Sequence, residues 1–328
     1  MTTIAPSIPS PLDAGGLPVA ADDAAPDRLW RRLRASGRIL AGGGILLAVL
    51  ALCIGSMPWT LRTGTSLYYE NANAEATRKP PELRSPSRWF GTDTQGRSLL
   101  GRCLLGGTIS LAIGVAAASV SILLGVGVGL VAGYRGGWTD ALLMRTVDVL
   151  YGLPYILLVI LFKITLETPL GALFRSSQAA NLVVLFLAIG LVSWLTMARV
   201  VRGQVMSLRS QPFIEACRAG GLTERRIFTR HLLPNLVGPI AVYATLTVPQ
   251  AILQESFLSF LGIGIQPPLP TWGSLASEGL LPALNTINSR WWLLVFPCVL
   301  LATTLLSLNF LGDGLRDVFD PKREAAKI

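Results

Sequence analysis

Along this chain, long uncharged stretches alternate with short charged ones, on a scale far longer than the 3.6- and two-residue periods of soluble amphipathic elements. Ile39 to Met57, Cys103 to Tyr134, Gln178 to Ala198, Leu232 to Gln254 and Trp291 to Gly312 contain no Asp, Glu, Lys or Arg, and Ala141 to Leu166 is interrupted only by Arg145, Asp148 and Lys163. A hydrocarbon core about 30 Å thick is crossed by about 20 helical residues. The pattern therefore predicts six transmembrane helices in an all-α, polytopic membrane protein. Cys103 to Tyr134 is longer than a span requires, so its first turns are expected to lie along the interface. Gly262 to Gly273 contains Gly264, Pro267, Pro268 and Pro270, cannot be a straight helix, and reads as a loop or re-entrant turn.

Composition agrees: 51% of the residues are hydrophobic and 14% charged, against about 25% charged in soluble domains. The +9 net charge is a topology signal, which argues against a nucleic-acid partner. With the N-terminus inside, cytoplasmic segments collect the cluster from Arg28 to Arg38, the arginines from Arg199 to Arg230, and Arg316, Lys322, Arg323 and Lys327, about twice as many basic residues as the opposite side. Positive charge is retained on the cytoplasmic side, so both termini are expected in the cytoplasm. Residues 1–37 read as a tail, disordered through Asp27 and then basic, 38–58 as the first span and 59–102 as an external loop. A five-helix core follows over 103–312, with a cytoplasmic loop at 203–235, and 313–328 form a cytoplasmic tail. The first span is too long for a signal core and no small-x-small site follows it, so it is expected to stay uncleaved.

Cys53, Cys103, Cys217 and Cys298 show no pairing pattern, and His231 is the lone histidine, so no metal site is expected. A nucleotide-cradling loop needs a lysine directly after glycine. None of Lys79, Lys163, Lys322 and Lys327 is so placed, so any ATPase powering this protein is another chain.

The charged segment from Ser210 to Asn235 separates two uncharged runs. Pro212 suits a helix's first turn and Gly220-Gly221 a stop with positive φ, which predicts a short helix from Pro212 to Ala219. Thr223 can cap a second helix with Glu224 at its positive end, running through Ile227, Phe228 and Leu232 until Pro234. Small residues at Ala216, Cys217, Ala219, Gly220 and Gly221 let another protein approach closely, while Glu215, Arg218, Arg225 and Arg226 can hold ion pairs at the rim. On the residues alone, this elbow fits a docking site and a solvated loop equally.

Glu215-Ala216-Cys217-x-x-x-Gly221, nine residues, then His231-Leu232-Leu233-Pro234-Asn235 resembles the Glu-Ala-Ala loop of bacterial ABC importer permeases. Cys217 stands where a second alanine is usual and Gly220 where a larger residue is common. Gly91-Thr92-Asp93-Thr94-Gln95-Gly96-Arg97, Gln254-Glu255-Ser256-Phe257-Leu258-Ser259-Phe260-Leu261-Gly262 and Leu308-Asn309-Phe310-Leu311-Gly312-Asp313-Gly314-Leu315-Arg316-Asp317 resemble, in order, marks of one branch: the C-type permease subunit of dipeptide and oligopeptide importers. Residues 66–86 match nothing in it. The resemblance implies the type I permease fold, a coupling helix at Glu215 to Gly221 gripped by an ATPase, and no catalytic residue or cofactor on this chain, with ATP and magnesium on its partners. It further implies a second, related permease completing the pore, two cytoplasmic ATPase subunits and an external solute-binding protein delivering peptide. The same architecture carrying nickel or another small solute is the alternative. A secondary transporter or channel driven by an ion gradient is the competing class, and would show repeats and broken mid-membrane helices; no clear repeat is present.

In the second span Ala117, Ser121, Gly125, Gly129 and Gly133 recur every four residues. Lipid gives no hydrophobic drive for helices to associate, so such a stripe serves close packing on another helix. Asp93 and Arg97 pair if their stretch is helical, a structural role outweighing substrate contact. Glu255 could face the pathway, though a structural hydrogen bond fits better, and Lys163 and Glu167 could satisfy each other. Arg145 and Asp148 sit where snorkelling suffices. Asp313, Arg316 and Asp317 read as an interfacial anchor.

Overall fold

A computed structural model describes Arg34 and residues 36–174 and 176–319. The tail before Arg34, most of its basic cluster and the stretch from Asp320 lie outside the described residues. The main elements are α1 (Gly37–Gly55), α2 (Leu99–Arg135), α3 (Gly137–Tyr151), α4 (Tyr155–Leu173), α5 (Ser177–Arg209), α6 (Pro212–Ala219), α7 (Glu224–Ile227), α8 (Leu233–Phe260), α9 (Trp272–Ala283) and α10 (Trp292–Phe319). No strand is present among the described residues, where Thr92 and Ser98 form an isolated bridge. Among the described residues, six helical stretches are long and apolar enough to cross a membrane, at 37–60, 99–135, 155–173, 177–209, 224–260 and 292–318.

Several boundaries differ from the sequence expectation. The third span does not begin at Ala141: Pro154, which lacks an N–H, separates α3 from α4, and the apolar crossing helix is Tyr155–Leu173. The start of α2 does not lie along the interface. At 1.5 Å per residue this helix is about 55 Å long, and its first turns are packed inside protein, with Leu99, Arg102, Cys103 and Leu105 all buried. Part of their cover is α9, which the glycine- and proline-rich stretch concealed. Thr271 and Ser274 form a capping box at its start, and Trp272 donates its indole N–H to Cys103 O (3.0 Å) and its backbone N–H to Ser110 Oγ (3.3 Å).

Pro234 does not end the helix that starts at Glu224. A π-helical turn at Phe228–Leu232 joins α7 to α8, absorbing the hydrogen bond that proline cannot give. Lys163 does not pair with Glu167. Its ammonium donates to Ile263 O and Gly264 O (3.4 Å to the latter), carbonyls of the turn after α8 that Gly262 makes possible with φ +78.

The residues between α1 and α2 are tied down by charge. Asp93 and Arg97 pair in a tight hairpin rather than a helix: Asp93 Oδ1 accepts from the N–H groups of Gln95 (2.8 Å) and Arg97 (2.9 Å), and its Oδ2 accepts from Arg97 Nε (2.7 Å) and Arg102 Nη1 (2.8 Å). Arg102, 2% exposed, forks onto Glu278 of α9 (2.6 and 3.0 Å). This network, buried except at Glu278, fixes the loop, α2 and α9 to one another. At the other membrane face Arg38 pairs with Asp317 (2.9 Å), joining α1 to α10.

Candidate functional site: elbow, helix stripe and membrane cavity

Helix α6 spans the residues that Pro212 and the following glycines delimit, and the positive φ (+74) belongs to Gly221, not Gly220. Of its side chains only that of Ile214 is buried. Phe213, Glu215, Ala216, Arg218 and Ala219 are exposed and Cys217 is half-buried. The helix is therefore anchored by one apolar side chain and presents the others.

The elbow is braced against the ends of two long helices. The Tyr134 hydroxyl of α2 donates to Glu224 O (2.9 Å) and reaches the Glu224 carboxylate, and its ring meets Phe228 edge-on at 4.9 Å. Arg218 Nε donates to Glu224 Oε1 (3.1 Å), and Arg209 Nη1 of α5 to Tyr134 O (2.8 Å). Nearby, Arg202 forks onto Asp140 (2.5 and 2.6 Å), and Arg199, its guanidinium 4.1 Å from the Tyr151 ring centre, holds Asp148 (2.7 Å). The guanidinium hydrogen bonds hold the Asp140 carboxyl below the ordinary carboxylate range. Of the residues expected to form rim ion pairs, Arg218 is engaged within the elbow, whereas Glu215, Arg225 and Arg226 make no ion pair among the described residues.

Helix α5 carries this bracing into the membrane, because it lies along the small-residue stripe of α2. Ala117, Ser121, Gly125, Gly129 and Gly133 are all buried. A Cβ added at Gly125 would sit 2.5 Å from Met197 Cβ, at Gly129 2.7 Å from Ala198 O, and at Gly133 2.8 Å from Val205 Cβ. Gly190 of α5 returns the contact, with Ala117 O at 2.9 Å from its missing Cβ.

Between α4, α5 and α8 lies a cavity of about 520 Å³. Tyr155, Ser193, Thr196, Thr247, Gln250 and Gln254 give it polar, uncharged walls among leucines and valines. Ser193 Oγ donates to Gln254 Oε1 (3.1 Å). Apart from Gln254, which opens a motif of the resemblance, these residues were not singled out from the sequence, though Tyr243, Thr247, Gln250 and Gln254 share one helix face at spacings of three and four within an uncharged span. Beyond the cavity the apolar side chains of Ile113, Val159, Leu185, Ile189, Leu258 and Ile265 close against one another.

Six apolar crossings among the described residues, a braced elbow between two of them and a partly polar cavity between crossing helices fit a transport protein of the membrane. The chain belongs to the family of binding-protein-dependent transport system inner membrane components, whose profile matches residues 125–325. It is 41% identical over 278 residues to the oligopeptide transport system permease protein OppC of Haemophilus influenzae, covering 85% of this chain and 83% of that protein. It is 42% identical over 297 residues to OppC of Escherichia coli K12 (90% and 91%), and 40% identical over 293 residues to the dipeptide transport system permease protein DppC of Bacillus subtilis (89% and 84%). Among solved structures, a chain of the inward-facing MetNI methionine ABC transporter shares the fold, with TM-score 0.51 and 21% identity over 66% of this chain and 96% of that one. The protein is thus a permease subunit with the ABC importer type I fold.

Proposed function

We propose that this permease imports dipeptides or oligopeptides, paired with a second, related permease, fed by an external solute-binding protein and driven by two cytoplasmic ATPase subunits that carry the ATP and magnesium. Both termini and the elbow lie in the cytoplasm on this reading. The observation that carries it is the construction of α6. A two-turn helix anchored by Ile214 alone, exposing Phe213, Glu215 and Ala216 and braced through Glu224 and Tyr134 to the bundle, suits a lever gripped from outside. A push on α6 reaches α2 through Tyr134 and α5 through Arg209, and these two helices are too closely packed to slip past each other. ATP-driven closure of the partner ATPases would therefore tilt α2 and α5 as a unit and open the cavity between α4, α5 and α8 to the other side. The peptide assignment is supported by the named specificities of the relatives and by cavity walls that offer amide and hydroxyl groups without charge. Such walls suit peptide backbones of varied sequence.

Gentle purification of the chain from cells expressing the whole system tests this. A second permease and two ATPase chains should come with it, and the complex should hydrolyse ATP faster when peptide-loaded binding protein is added. Glu215→Arg combined with Gly221→Leu should release the ATPases and leave the permease pair intact. A chain that purifies alone and moves solute on an ion gradient would overturn the reading.

A further inference from the structure

A second cavity, of about 330 Å³, opens where the α2–α3 turn, the end of α5 and α6 converge, with Gly133, Gly136, Met206, Arg209, Ser210 and Arg218 in its walls. It lies at the level where crossings end: Arg135 closes one span and Arg209 another. Trp138, just beyond the turn, is 80% exposed, as tryptophans at the headgroup level are. Two guanidiniums line this space, each oriented among the described residues by a single hydrogen bond, Arg209 to Tyr134 O and Arg218 to Glu224. A guanidinium has five N–H donors, so most of their capacity is unspent.

The charge balance favours an anion. Asp140 also borders the cavity, but both its oxygens are taken by Arg202, and Glu224 is taken by Arg218 and Tyr134. Among the described residues Arg209 hydrogen-bonds to a neutral carbonyl, with the Glu224 carboxylate within electrostatic reach, so Arg202, Arg209 and Arg218 outnumber Asp140 and Glu224 around this space by one positive charge. Basic pockets between helices on the cytoplasmic side of a bilayer are suited to lipid phosphates. Met206 adds an apolar wall that a free anion would not use.

We propose that this cavity binds the phosphate of an anionic phospholipid headgroup, with Arg209 and Arg218 as its ligands, and that the bound lipid braces α6 against the bundle. The inference rests on the reading above in placing α6 at the cytoplasmic membrane boundary. A soluble phosphate shares the chemistry, and the level of the cavity and its apolar wall favour the lipid.

The full transporter, reconstituted in nanodiscs of equal phosphatidylglycerol and phosphatidylcholine, is the material for the test, with bound lipid counted by native mass spectrometry. Wild type and Arg145→Gln, which removes an equal charge from exposed α3 outside the cavity, should retain phosphatidylglycerol. Arg209→Gln should retain about tenfold less, as expected for roughly one charge-assisted hydrogen bond lost. Arg209→Lys, which keeps the charge and three N–H donors, should recover most of the retention and so separates lipid loss from misfolding. Three results would each overturn the assignment: equal retention by Arg209→Gln and wild type, equal retention of the two lipids, or protection of Arg209 from phenylglyoxal by millimolar inorganic phosphate in phosphatidylcholine discs. Labelling of Thr229→Cys by an impermeant maleimide from outside the cell would instead show that the orientation is wrong, and leaves the lipid count to be judged separately.

Discussion

Glu255 carries a carboxyl group into a fully buried site where, among the described residues, hydroxyls and no cation meet it. Ser259 Oγ donates to one oxygen (2.7 Å) and Ser256 Oγ to the other (3.3 Å), and Ser259 Oγ in turn accepts from the Ile265 N–H (3.4 Å). Gly264 and Gly273 press against Ser259 and Ser256 so closely that any side chain there would collide. The carboxyl group thus locks the end of α8 to the turn that follows and to the start of α9, which is a structural role. Glu255→Gln keeps an acceptor for Ser259 and should leave peptide uptake and thermal stability near wild type. Glu255→Leu strands buried hydroxyls at about 1–3 kcal/mol each and should lower both. Uptake assays and melting curves decide it: a glutamine variant as damaged as the leucine variant would mean that the charge itself is used, as a pathway residue would use it. The sequence already showed an acid within a serine-rich motif, with Ser259 one helical turn away. That Trp272 and Gly273 close over the same spot was hidden, because it depends on a chain reversal through Gly262 and Gly264.

At the level of elements, α2 and α5 form the spine of the molecule, and they touch through bare backbone. Each of Gly125, Gly129 and Gly133 faces a different turn of α5, so a bulky side chain at any one must separate the pair along its length. Gly125→Leu and Gly129→Leu should each cost on the order of 2 kcal/mol or more by overpacking, seen as lower yield of assembled transporter and loss of peptide-stimulated ATPase activity. Wild-type transport in both variants would show that the spine tolerates separation and that small residues there are incidental. This contact was foreseeable because a four-residue period of small side chains has one reading in lipid; the identity of the partner helix was not, since the small residues of α5, among them Ala188, Gly190, Ala198 and Gly203, form no unbroken four-residue period. Lys163 illustrates the opposite case. Its i,i+4 spacing to Glu167 suggested a local pair, yet two carbonyls a hundred residues away outcompete it. Helix α9 was concealed for a similar reason: proline and glycine before it suggested loop, and the Thr271–Ser274 cap that starts it is a short-range signal easily lost among them.

For the molecule as a whole, the side of the cavity left uncovered by this chain is the informative one. Gln250 lies on α8, in the middle of an apolar crossing, and is exposed. An amide turned toward hydrocarbon without a partner costs several kcal/mol, roughly the effect of a severe core mutation, so lipid is a poor neighbour for it. Water in the proposed translocation path, or a polar group of the proposed second permease, meets the amide's needs; the first places this face of α8 on the path, the second at the interface between subunits. Leu157 of α4 also lies near the cavity and is 61% exposed, but an apolar side chain there is content in lipid. In a cysteine-free background within the assembled transporter, Gln250→Cys should react with a water-soluble methanethiosulfonate reagent, and its rate should change between the nucleotide-free and ATP-trapped states as the cavity switches sides. Leu157→Cys should stay unreactive in both. If Gln250→Cys is as inert as Leu157→Cys in either state, the cavity is not on the path, and the polar face of α8 must find its partner within a protein interface that solute never enters.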